Sequence, residues 1–408
     1  MKIIAILETD AGGSGGFNQA VNAILQMQRI CERRFDFEVL TAHQSNVGPL
    51  ASLGVAATVF SFSAIDAMLA RASHLPSWQS LQLRLKLTGP FERKLLQRGC
   101  DLVYFVMPSA KATALQRLNY IATVWDACHR DAPEFPEVRQ FAQFQAREHQ
   151  YRTQFAPAIA VLTDSRELAA SLCRRYGLDP ERMLPMPFAP APFLQAGLAA
   201  DTAAVLSKYG LQEGYYFYPA QFWAHKNHAR ILEAMTLLRE RGSAVRAVFA
   251  GGDAGNRPYI EALAARHGLR DQLSFLGHVP SADLRGLYEG CCAVVMPTYF
   301  GPTNLPPLEA WLIGKPLIYS SAFKEQAADA ALGVNPDDAS ALADAMHACT
   351  DADTRANLVR SGTLRLRQIE QQREEAEAAL LERLRQFEAK RSCWPSSRLE
   401  ADEVPLRP

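Results

Sequence analysis

The stretch Lys2-Ile-Ile-Ala-Ile-Leu7 is a short aliphatic run, followed by the glycine-rich turn Gly12-Gly-Ser-Gly-Gly16 and a helical pattern over 17–34. A continuous aliphatic run is typical of a strand that is buried on both faces of a parallel sheet. The glycine-rich turn lets the backbone come close to a ligand, although one such turn is a weak indication by itself. This order of strand, turn and helix predicts an open α/β sheet.

The same alternation continues along the chain. Further strands are predicted in the first half at 38–41, 102–107, 121–124 and 158–163. Four prolines between 185 and 192 are incompatible with a helix or a central strand and predict a connector. The alternation then restarts, with predicted strands at 215–219, 244–250, 273–276, 293–296 and 316–319. We therefore predict an α/β protein with two Rossmann-like α/β/α domains.

The predicted boundaries place the first domain at 1–190 and the second at 191–363. A polar helix over 364–390 is expected to pack back toward the first domain, and 391–408 is expected to be a loose tail. Two open sheets that face each other leave a cleft at the carboxyl ends of their strands, where ligands bind in this class of fold.

Composition narrows the class of protein. The 408 residues include 43 Lys and Arg against 43 Asp and Glu, a balance that argues against a general nucleic-acid partner. Eight scattered cysteines without a Cys-X-X-Cys pair indicate neither a zinc site nor a disulfide framework. Glu8 interrupts the first apolar run, and no later run is long enough to span a bilayer. These features predict a cytoplasmic protein.

The first segment whose residues suggest a binding site is Pro297-Thr-Tyr-Phe-Gly-Pro-Thr-Asn-Leu-Pro-Pro-Leu-Glu-Ala-Trp311. It follows a predicted strand and enters a helix through two prolines, which are favoured in a first helical turn. Backbone N–H groups at such a helix N-terminus form an anion site. Glu309, one turn later, is placed to accept hydrogen bonds from sugar hydroxyls. The alternative is an ordinary loop, capped by Thr303 or Asn304, in which Glu309 only complements the helix dipole.

The second segment, Tyr215-Tyr-Phe-Tyr-Pro-Ala-Gln-Phe-Trp-Ala-His-Lys-Asn-His228, carries Lys226 at the mouth of the next predicted helix. An ammonium group beside a helix N-terminus suits a phosphate. The alternative is a solvated lysine on a loop.

Five segments in order carry a family resemblance: YPAQFWAHKNH at 218–228, FAGGDAGNRPYIEALA at 249–264, FLGHVPSADLRGLYEGC at 275–291, MPTYFGPTNLPPLEAWLIGKPLI at 296–318 and EQAADAA at 325–331. The chain resembles a GT-B glycosyltransferase of the retaining family 4 type, also called glycosyl transferases group 1. The resemblance covers residues 1–390 and is nearest to the branch that builds bacterial O-antigen and other surface polysaccharides, often from mannose or rhamnose donors.

The resemblance implies roles for individual residues. Lys226 would hold the donor diphosphate, and Glu309 would bind the donor ribose. The main chain at Thr303, Asn304 and Leu305 would also meet the diphosphate, and Gly13, Gly15 and Gly16 would approach the donor phosphate and the acceptor. Two residues depart from the family pattern: Gly301 replaces the first glutamate of the E-x7-E motif, and Gln221 replaces a common arginine.

A further element lies at 123–137, after a strand of the first domain. Its position resembles that of the family's His-Asp element, which meets the transferred sugar. Trp125 replaces the histidine, Asp126 is retained, and His129 follows three residues later. The resemblance implies that Asp126 and His129 contact the sugar hydroxyls and the acceptor. The alternative is that His129 is a loop residue paired with Asp126 or Asp131.

The function that these features predict is transfer of a hexose or deoxyhexose from a nucleotide-diphosphate sugar to a glycan or lipid-linked glycan acceptor, with retention of configuration. Lys226 and a helix N-terminus would supply the positive field without a metal, so we expect no metal and no cofactor besides the donor substrate. Two alternatives stay open: a non-catalytic scaffold, suggested by Gly301, Gln221 and Trp125, and a nucleotide-sugar epimerase, for which no convincing acid/base pair is present.

The stretch 71–98 holds six basic residues against the single acid Glu92, with leucines at 81, 83, 85 and 87. Such a surface can dock on anionic lipid headgroups, which would give peripheral contact with the inner membrane surface. The alternative is a charged face in contact with solvent.

Overall fold

A computed structural model of the protein describes residues 1–11, 15–32, 34–61, 63–72, 81, 84–85, 88–195, 201–301 and 303–394. The chain forms two compact units. The first comprises residues 1–126, 145–187 and the chain from 373 onward, and the second comprises 127–144 and 188–372. The short stretch 127–144 therefore belongs to the second unit, although the sequence on both sides of it belongs to the first.

The first unit is built on a parallel sheet of seven strands in the order β3-β2-β1-β4-β5-β6-β7. Strand β1, which lies between β2 and β4 in the interior of the sheet, is almost entirely buried, as its aliphatic sequence predicts. The strands are β1 Lys2–Leu7, β2 Asp36–Thr41, β3 Ala57–Val59, β4 Leu102–Phe105, β5 Asn119–Val124, β6 Ala160–Thr163 and β7 Met183–Pro185.

The second unit repeats this architecture with six parallel strands in the order β10-β9-β8-β11-β12-β13. Both sheets are doubly wound, because the strand order reverses direction once, between β1 and β4 in the first and between β8 and β11 in the second. The strands are β8 Tyr215–Pro219, β9 Ala247–Ala250, β10 Leu273–Gly277, β11 Cys291–Met296, β12 Leu317–Ser320 and β13 Leu332–Val334. The predicted fold class, two Rossmann-like α/β domains, is confirmed.

Most of the α-helices lie between successive strands, as expected for crossovers between parallel strands, and the last two follow the final strand. Among the described residues they are α1 Gly15–Cys31, α2 Val47–Ser52, α3 Ala64–Ala72, α4 Pro90–Gln97, α5 Cys128–Asp131, α6 Pro136–Arg139, α7 Gln143–Gln154, α8 Arg166–Tyr176, α9 Pro192–Gln195, α10 Thr202–Lys208, α11 His228–Glu240, α12 Arg257–Arg266, α13 Ser281–Gly290, α14 Leu305–Ile313, α15 Lys324–Ala327, α16 Ala339–Ala348 and α17 Ala352–Arg391.

The predicted strands are all present, and three strands were not predicted. These are β3, β7 and β13, each of three residues. Two of them, β3 and β7, close the two edges of the first sheet, and β13 closes one edge of the second. Runs this short give no clear periodicity, and Pro185 is tolerated in β7 because an edge strand can leave one backbone group unpaired.

The last helix, α17, is much longer than the helix predicted from 364 onward, since it begins at Ala352 and spans 40 residues. Its start is capped by Asp351, whose carboxylate accepts the N–H of Thr354 at 2.7 Å. The helix contains Gly362 at a position where it packs against Trp311. A larger residue would not fit there, because an added Cβ would lie only 2.4 Å from the Trp311 ring. The residues of α17 up to 372 belong to the second unit and those from 373 to the first.

The core of the first unit contains residues from both ends of its sequence. Leu380, Leu384 and Phe387 of α17 are buried in the same cluster as Ile3 of β1 and Ile24 of α1. In the part of the chain that the structure describes, no helix is both long and apolar enough to cross a membrane.

Candidate functional site

The site in the second unit lies at the carboxyl ends of β8 and β11, the adjacent strands between which the sheet order reverses. In an open α/β sheet this switch point is where the loops diverge to opposite faces and leave room for a ligand. The loop after β8 carries Lys226, and the loop after β11 carries Thr303 and Asn304. The two segments singled out from the sequence therefore reach the same place.

The loop after β8 ends in a single 3-10 turn, Ala224–Lys226, immediately before α11. Asn227 joins the turn to the helix in a left-handed conformation, with φ +56°, which asparagine tolerates better than most residues. Its side-chain amide donates to the carbonyls of Pro297 and Pro336, at 3.1 and 2.8 Å. The hydroxyl of Tyr218 donates to the carbonyl of Lys226 at 2.9 Å. The backbone at Lys226 is thereby fixed on both sides.

The loop after β11 is organised around Asn304, which is 8% exposed and directly precedes α14. Its side-chain amide donates to the carbonyl of Gly301 and to the hydroxyl of Tyr319, both at 2.7 Å. Gln326 accepts the backbone N–H of Asn304 at 3.0 Å and donates to its carbonyl at 2.6 Å. Asn304 does not cap the helix through its side chain. Its side-chain oxygen points instead to Lys226.

Lys226 Nζ donates to Asn304 Oδ1 at 3.0 Å, so an ammonium lies beside the N-terminus of α14. Thr303 is half-buried and Leu305 is buried as the first residue of that helix. Asn304 is a neutral amide, so its hydrogen bond orients Lys226 but is not an ion pair. An ammonium together with a helix N-terminus is a favourable environment for a phosphate or diphosphate.

Glu309 lies one turn into α14 and is only 4% exposed. Burial raises its pKa to about 7, although the Tyr288 hydroxyl, which donates to its carboxylate at 2.5 Å, and the backbone N–H of Ala191 favour the charged form. The carboxyl group is therefore close to its titration point at neutral pH. This burial disfavours the interpretation of Glu309 as a surface charge that only complements the helix dipole.

The two departures from the family pattern have distinct settings. Gly301 has φ +100°, a conformation that residues with a side chain rarely adopt, and an added Cβ would lie 3.2 Å from Asn304 Oδ1. A glutamate at this position would strain the backbone of the observed loop and crowd the Asn304 side chain. Gln221 is exposed, and its side-chain oxygen accepts the indole N–H of Trp223 at 3.0 Å.

The structure places the candidate residues predicted in the first unit on separate elements. Gly15 and Gly16 are the first two residues of α1, whereas Gly13 lies outside the described residues. The carboxylate of Asp126 accepts a hydrogen bond from Arg147 at 2.7 Å, a partner that the sequence did not suggest. Its backbone carbonyl accepts the hydroxyl of Tyr151, also at 2.7 Å.

His129 belongs to the second unit, in the short helix α5, and is completely buried. Its ring packs edge-on against Phe144, with the ring centroids 5.6 Å apart. The sugar-contacting role of Asp126 and His129 stays a prediction.

The first unit has its own polar cluster at the equivalent switch point, beyond β1 and β4. Lys111 forms an ion pair with Glu8 at 2.8 Å, and the hydroxyl of Ser109 donates to the same carboxylate. These residues were not predicted from the sequence, because they are isolated polar residues in two separate loops, with Glu8 after β1 and Ser109 and Lys111 after β4.

Two further residues that the sequence analysis missed lie beside Lys226. Glu137 Oε1 accepts hydrogen bonds from both the backbone N–H of His225, at 3.0 Å, and its ring Nδ1, at 2.5 Å. Glu137 and His225 are 88 positions apart in the chain, and no spacing rule connects them. A single buried carboxylate among many acidic residues gives no signal that sequence reasoning could use.

The sequence contains one Asp-X-Asp triplet, Asp351-Ala-Asp353, and the structure places it at the start of α17, where Asp351 caps the helix. Over the ranges that the structure describes, no group of three or more His, Cys, Asp or Glu residues is arranged to hold a metal ion. Much of the basic stretch 71–98, including Leu83, Lys86 and Leu87, lies outside the described residues. Within it, Leu81, Arg84 and Leu85 are exposed.

Comparison with solved structures identifies the class of fold. Anabaena Alr3699/HepE in complex with UDP-glucose superimposes with a TM-score of 0.71 at 16% identity, over 93% of this chain and 99% of that one. WaaG, a glycosyltransferase involved in lipopolysaccharide biosynthesis, superimposes with a TM-score of 0.63 at 16% identity, over 92% and 98%. The fold is the GT-B fold of these proteins.

The match to a known family lies in the second unit. Residues 214–351, which contain Lys226, Asn304 and Glu309, match the model of the family described as Glycosyl transferases group 1. The resemblance to glycosyl transferases group 1 is therefore confirmed over this part of the chain. An O-antigen chain mannosyltransferase B of Escherichia coli is 30% identical over 147 residues, 35% of this chain and 39% of the relative. The chain spans less than half the length of the curated relatives that it matches.

Proposed function

We propose that the protein is a retaining, metal-independent glycosyltransferase. It transfers a hexose or deoxyhexose, of the mannose or rhamnose class, from a nucleotide-diphosphate sugar to a glycan or lipid-linked glycan acceptor in surface-polysaccharide synthesis. The sugar class and pathway are supported by the similarity to a mannosyltransferase of O-antigen synthesis. A nucleotide-sugar donor is supported by the UDP-glucose in the complex of the GT-B neighbour.

The observation that carries the proposal is the 3.0 Å hydrogen bond between Lys226 and Asn304. It brings a cation from one loop to the helix N-terminus that follows the other loop, at the switch point of a parallel sheet. A diphosphate carries the charge and the acceptor oxygens that such an arrangement binds. Glu309, farther along the same helix, is the candidate acceptor for the ribose hydroxyls.

In the proposed reaction the bond between the anomeric carbon and the diphosphate oxygen breaks, and the acceptor oxygen bonds to the same carbon on the same face. The proton of the acceptor hydroxyl passes to the departing phosphate oxygen, so no protein nucleophile is required. Negative charge grows on the diphosphate as it leaves. Lys226 and the N-terminus of α14 stabilise that charge more in the transition state than in the ground state, which is the condition for catalysis.

The first experiment is a thermal-shift screen against UDP, GDP and dTDP and their sugars. Binding to the folded state raises the melting temperature by mass action, so the preferred nucleotide produces the largest increase. The preferred donor is then incubated with lipid-linked glycan acceptors, and the anomeric configuration of the product is read by NMR. Failure of every nucleotide to bind would refute the donor site.

A scaffold protein is the main alternative, because Gly301 and Gln221 depart from the family pattern. A scaffold would bind the donor but release no nucleoside diphosphate in the presence of any acceptor. An epimerase would convert the donor sugar without an acceptor. The same assay therefore separates the three functions.

Peripheral membrane contact is a further part of the proposal. Ile65 and Met68 on α3, together with Leu81 and Leu85, are large apolar residues that are exposed, and Arg84 lies between the two leucines. Apolar side chains interspersed with cations favour an anionic lipid surface. Co-sedimentation with phosphatidylglycerol vesicles should exceed that with phosphatidylcholine vesicles, and equal binding to both would contradict an electrostatic contribution.

A further inference from the structure

We propose that Glu137 is a positioning residue for the donor site, and that it acts through His225. The inference rests on the proposed function, since it assigns a residue to the same diphosphate-binding loops. Glu137 belongs to the short helix α6, in the stretch 127–144 that packs within the second unit. It lies outside the segment that matches the family model.

Glu137 makes two hydrogen bonds with one residue. Its Oε1 accepts the backbone N–H of His225 at 3.0 Å and the ring Nδ1–H at 2.5 Å, and both side chains are 9% exposed. Burial opposes ionisation of Glu137, but the hydrogen bonds from His225 outweigh it and lower the pKa of the carboxyl group. The group is therefore an ionised carboxylate at neutral pH. Because a carboxylate only accepts hydrogen bonds, the proton on Nδ1 and the orientation of the imidazole are both fixed.

His225 is where the two donor loops meet. Its carbonyl accepts the backbone N–H of Tyr299 at 2.9 Å and the hydroxyl of Thr298 at 3.2 Å, and both donors belong to the loop after β11. Its ring stacks on Phe300 of the same loop, with a centroid separation of 3.7 Å and an interplanar angle of 16°. The residue immediately after His225 is Lys226.

Phe135 extends this arrangement from the side of Glu137. Its ring lies 5.2 Å from that of Tyr299, 5.5 Å from that of Phe300 and 6.4 Å from that of His225. The stretch 127–144 thus reaches the donor loops with one aromatic ring and one carboxylate. The aromatic contacts favour close packing. The carboxylate fixes the position and orientation of His225, because hydrogen bonds are directional.

The consequence concerns Lys226 and Asn304, whose 3.0 Å contact defines the cation site. Without the carboxylate, the backbone N–H and the ring of His225 lose the acceptor that they share. The turn Ala224–Lys226 then loses the two hydrogen bonds that Glu137 contributes to its position. A displacement of about 1 Å in a catalytic group is enough to lower a rate about a hundredfold. Glu137 therefore influences the reaction while touching neither donor nor acceptor.

The test compares Glu137→Leu and Glu137→Gln. The leucine removes the acceptor at similar size, whereas the glutamine amide oxygen can still accept both N–H groups. Glu134→Leu and Glu134→Gln are matched controls, because Glu134 is exposed and three residues away on the same segment. Each variant is measured for affinity for the nucleoside diphosphate that the wild type prefers, by calorimetry, and for kcat and KM with the corresponding donor. The ring nitrogens of His225 are observed by ¹⁵N NMR, which needs neither ligand nor activity.

We expect Glu137→Leu to lower kcat at least tenfold and to alter the Nδ1 protonation of His225. Glu137→Gln should stay within about threefold of the wild type, and both Glu134 variants should match it. Wild-type kcat and nucleotide affinity in a folded Glu137→Leu protein would overturn the positioning role and leave the proposed function intact. An equal loss in Glu137→Gln and Glu137→Leu, with an unchanged His225 ring, would also overturn it. If the wild type itself binds no nucleoside diphosphate, the proposed function fails, and the role of Glu137 fails with it.

Discussion

Each unit places a lysine at the switch point of its sheet, but the two lysines have different partners. In the first unit Lys111 is paired with the carboxylate of Glu8 beyond β1 and β4, and in the second Lys226 is hydrogen-bonded to the amide of Asn304 beyond β8 and β11. A carboxylate neutralises the charge of a lysine with which it is paired, whereas a hydrogen bond to an amide orients a lysine without being an ion pair. The lysine contacts at the two switch points therefore differ in kind, since one is an ion pair and the other is a hydrogen bond to a neutral amide.

Replacing Lys226 by alanine is expected to have the largest effect. We expect kcat to fall about a hundredfold, which is the usual effect of losing one group that stabilises transition-state charge. Lys111→Ala should lower kcat less than tenfold, because its charge is already balanced by Glu8. Lys208→Ala is the control, since Lys208 is an exposed residue of the second unit paired with Asp283. Steady-state kinetics with the preferred donor checks the series, and equal losses at Lys226 and Lys111 would contradict the difference between the units.

Glu309→Gln is expected to have the second largest effect, a ten- to hundredfold loss in kcat/KM. The substitution keeps the size of the side chain but removes a charged acceptor, whose hydrogen bond is worth about 1.5–3 kcal/mol. The same variant should be more stable than the wild type above pH 7. Burial raises the pKa of Glu309 to about 7 from 4.5, so this group contributes stability at low pH that is lost as the pH rises through 7. Unchanged kinetics in a folded protein would refute the ribose assignment.

His228 should give the second unit a sensitivity to acid. Its ring is fully buried between Phe222, Tyr218 and Phe249, and neither ring nitrogen has a hydrogen-bond partner of normal geometry. Burial, reinforced by the charges of Lys226 and His225, lowers its pKa to about 3 from 6.5. Below pH 6.5 His228 therefore binds a proton in the unfolded chain but stays neutral in the folded unit. The free energy of unfolding falls as the pH decreases toward 3.

At pH 5 this effect amounts to about 2 kcal/mol relative to pH 8. His228→Phe removes the titrating group and keeps an aromatic ring in the cluster. Melting temperatures measured at pH 8 and pH 5 should therefore differ less in His228→Phe than in the wild type. The same acid-induced decrease in both proteins would assign the effect to other groups.

Removal of divalent metal is expected to have the smallest effect, namely none. Lys226 and the N-terminus of α14 are proposed to supply the positive field at the diphosphate, so activity should survive dialysis against EDTA. The control is the same enzyme supplied with manganese or magnesium after dialysis. Loss of activity with chelator and its recovery with either metal would show that the charge of Lys226 does not suffice.

The parts of the fold that follow from local patterns were predicted well. Strand β8 was predicted to the residue, and the start of α14 was predicted at its two prolines, because a run of aromatic residues and a proline-marked helix start are local signals. The edge strand β13 was missed because three residues carry no periodicity. The start of α17 was placed too late, since its cap Asp351 lies ahead of a stretch whose apolar residues recur less regularly.

The site was only partly predictable for a similar reason. Lys226 and Asn304 were recognisable because each stands in a continuous motif beside a strand end, and topology brings them together. Their supports, Gln326 for Asn304 and Glu137 for His225, come from distant parts of the chain and have no local signature. Gly301 could be recognised as a departure, but its φ of +100° explains it only once the backbone is known.

The division of α17 between the two units has a consequence for biosynthesis. Leu380, Leu384 and Phe387 complete the core that contains Ile3 and Ile24, yet the ribosome makes them more than 350 residues later. By then the whole of the second unit, which ends at 372, has been translated. The part of the first unit's core that these residues cover therefore stays exposed until the end of synthesis, after the second unit has been translated. Vectorial synthesis thus reverses the usual order, in which the amino-terminal domain is finished first.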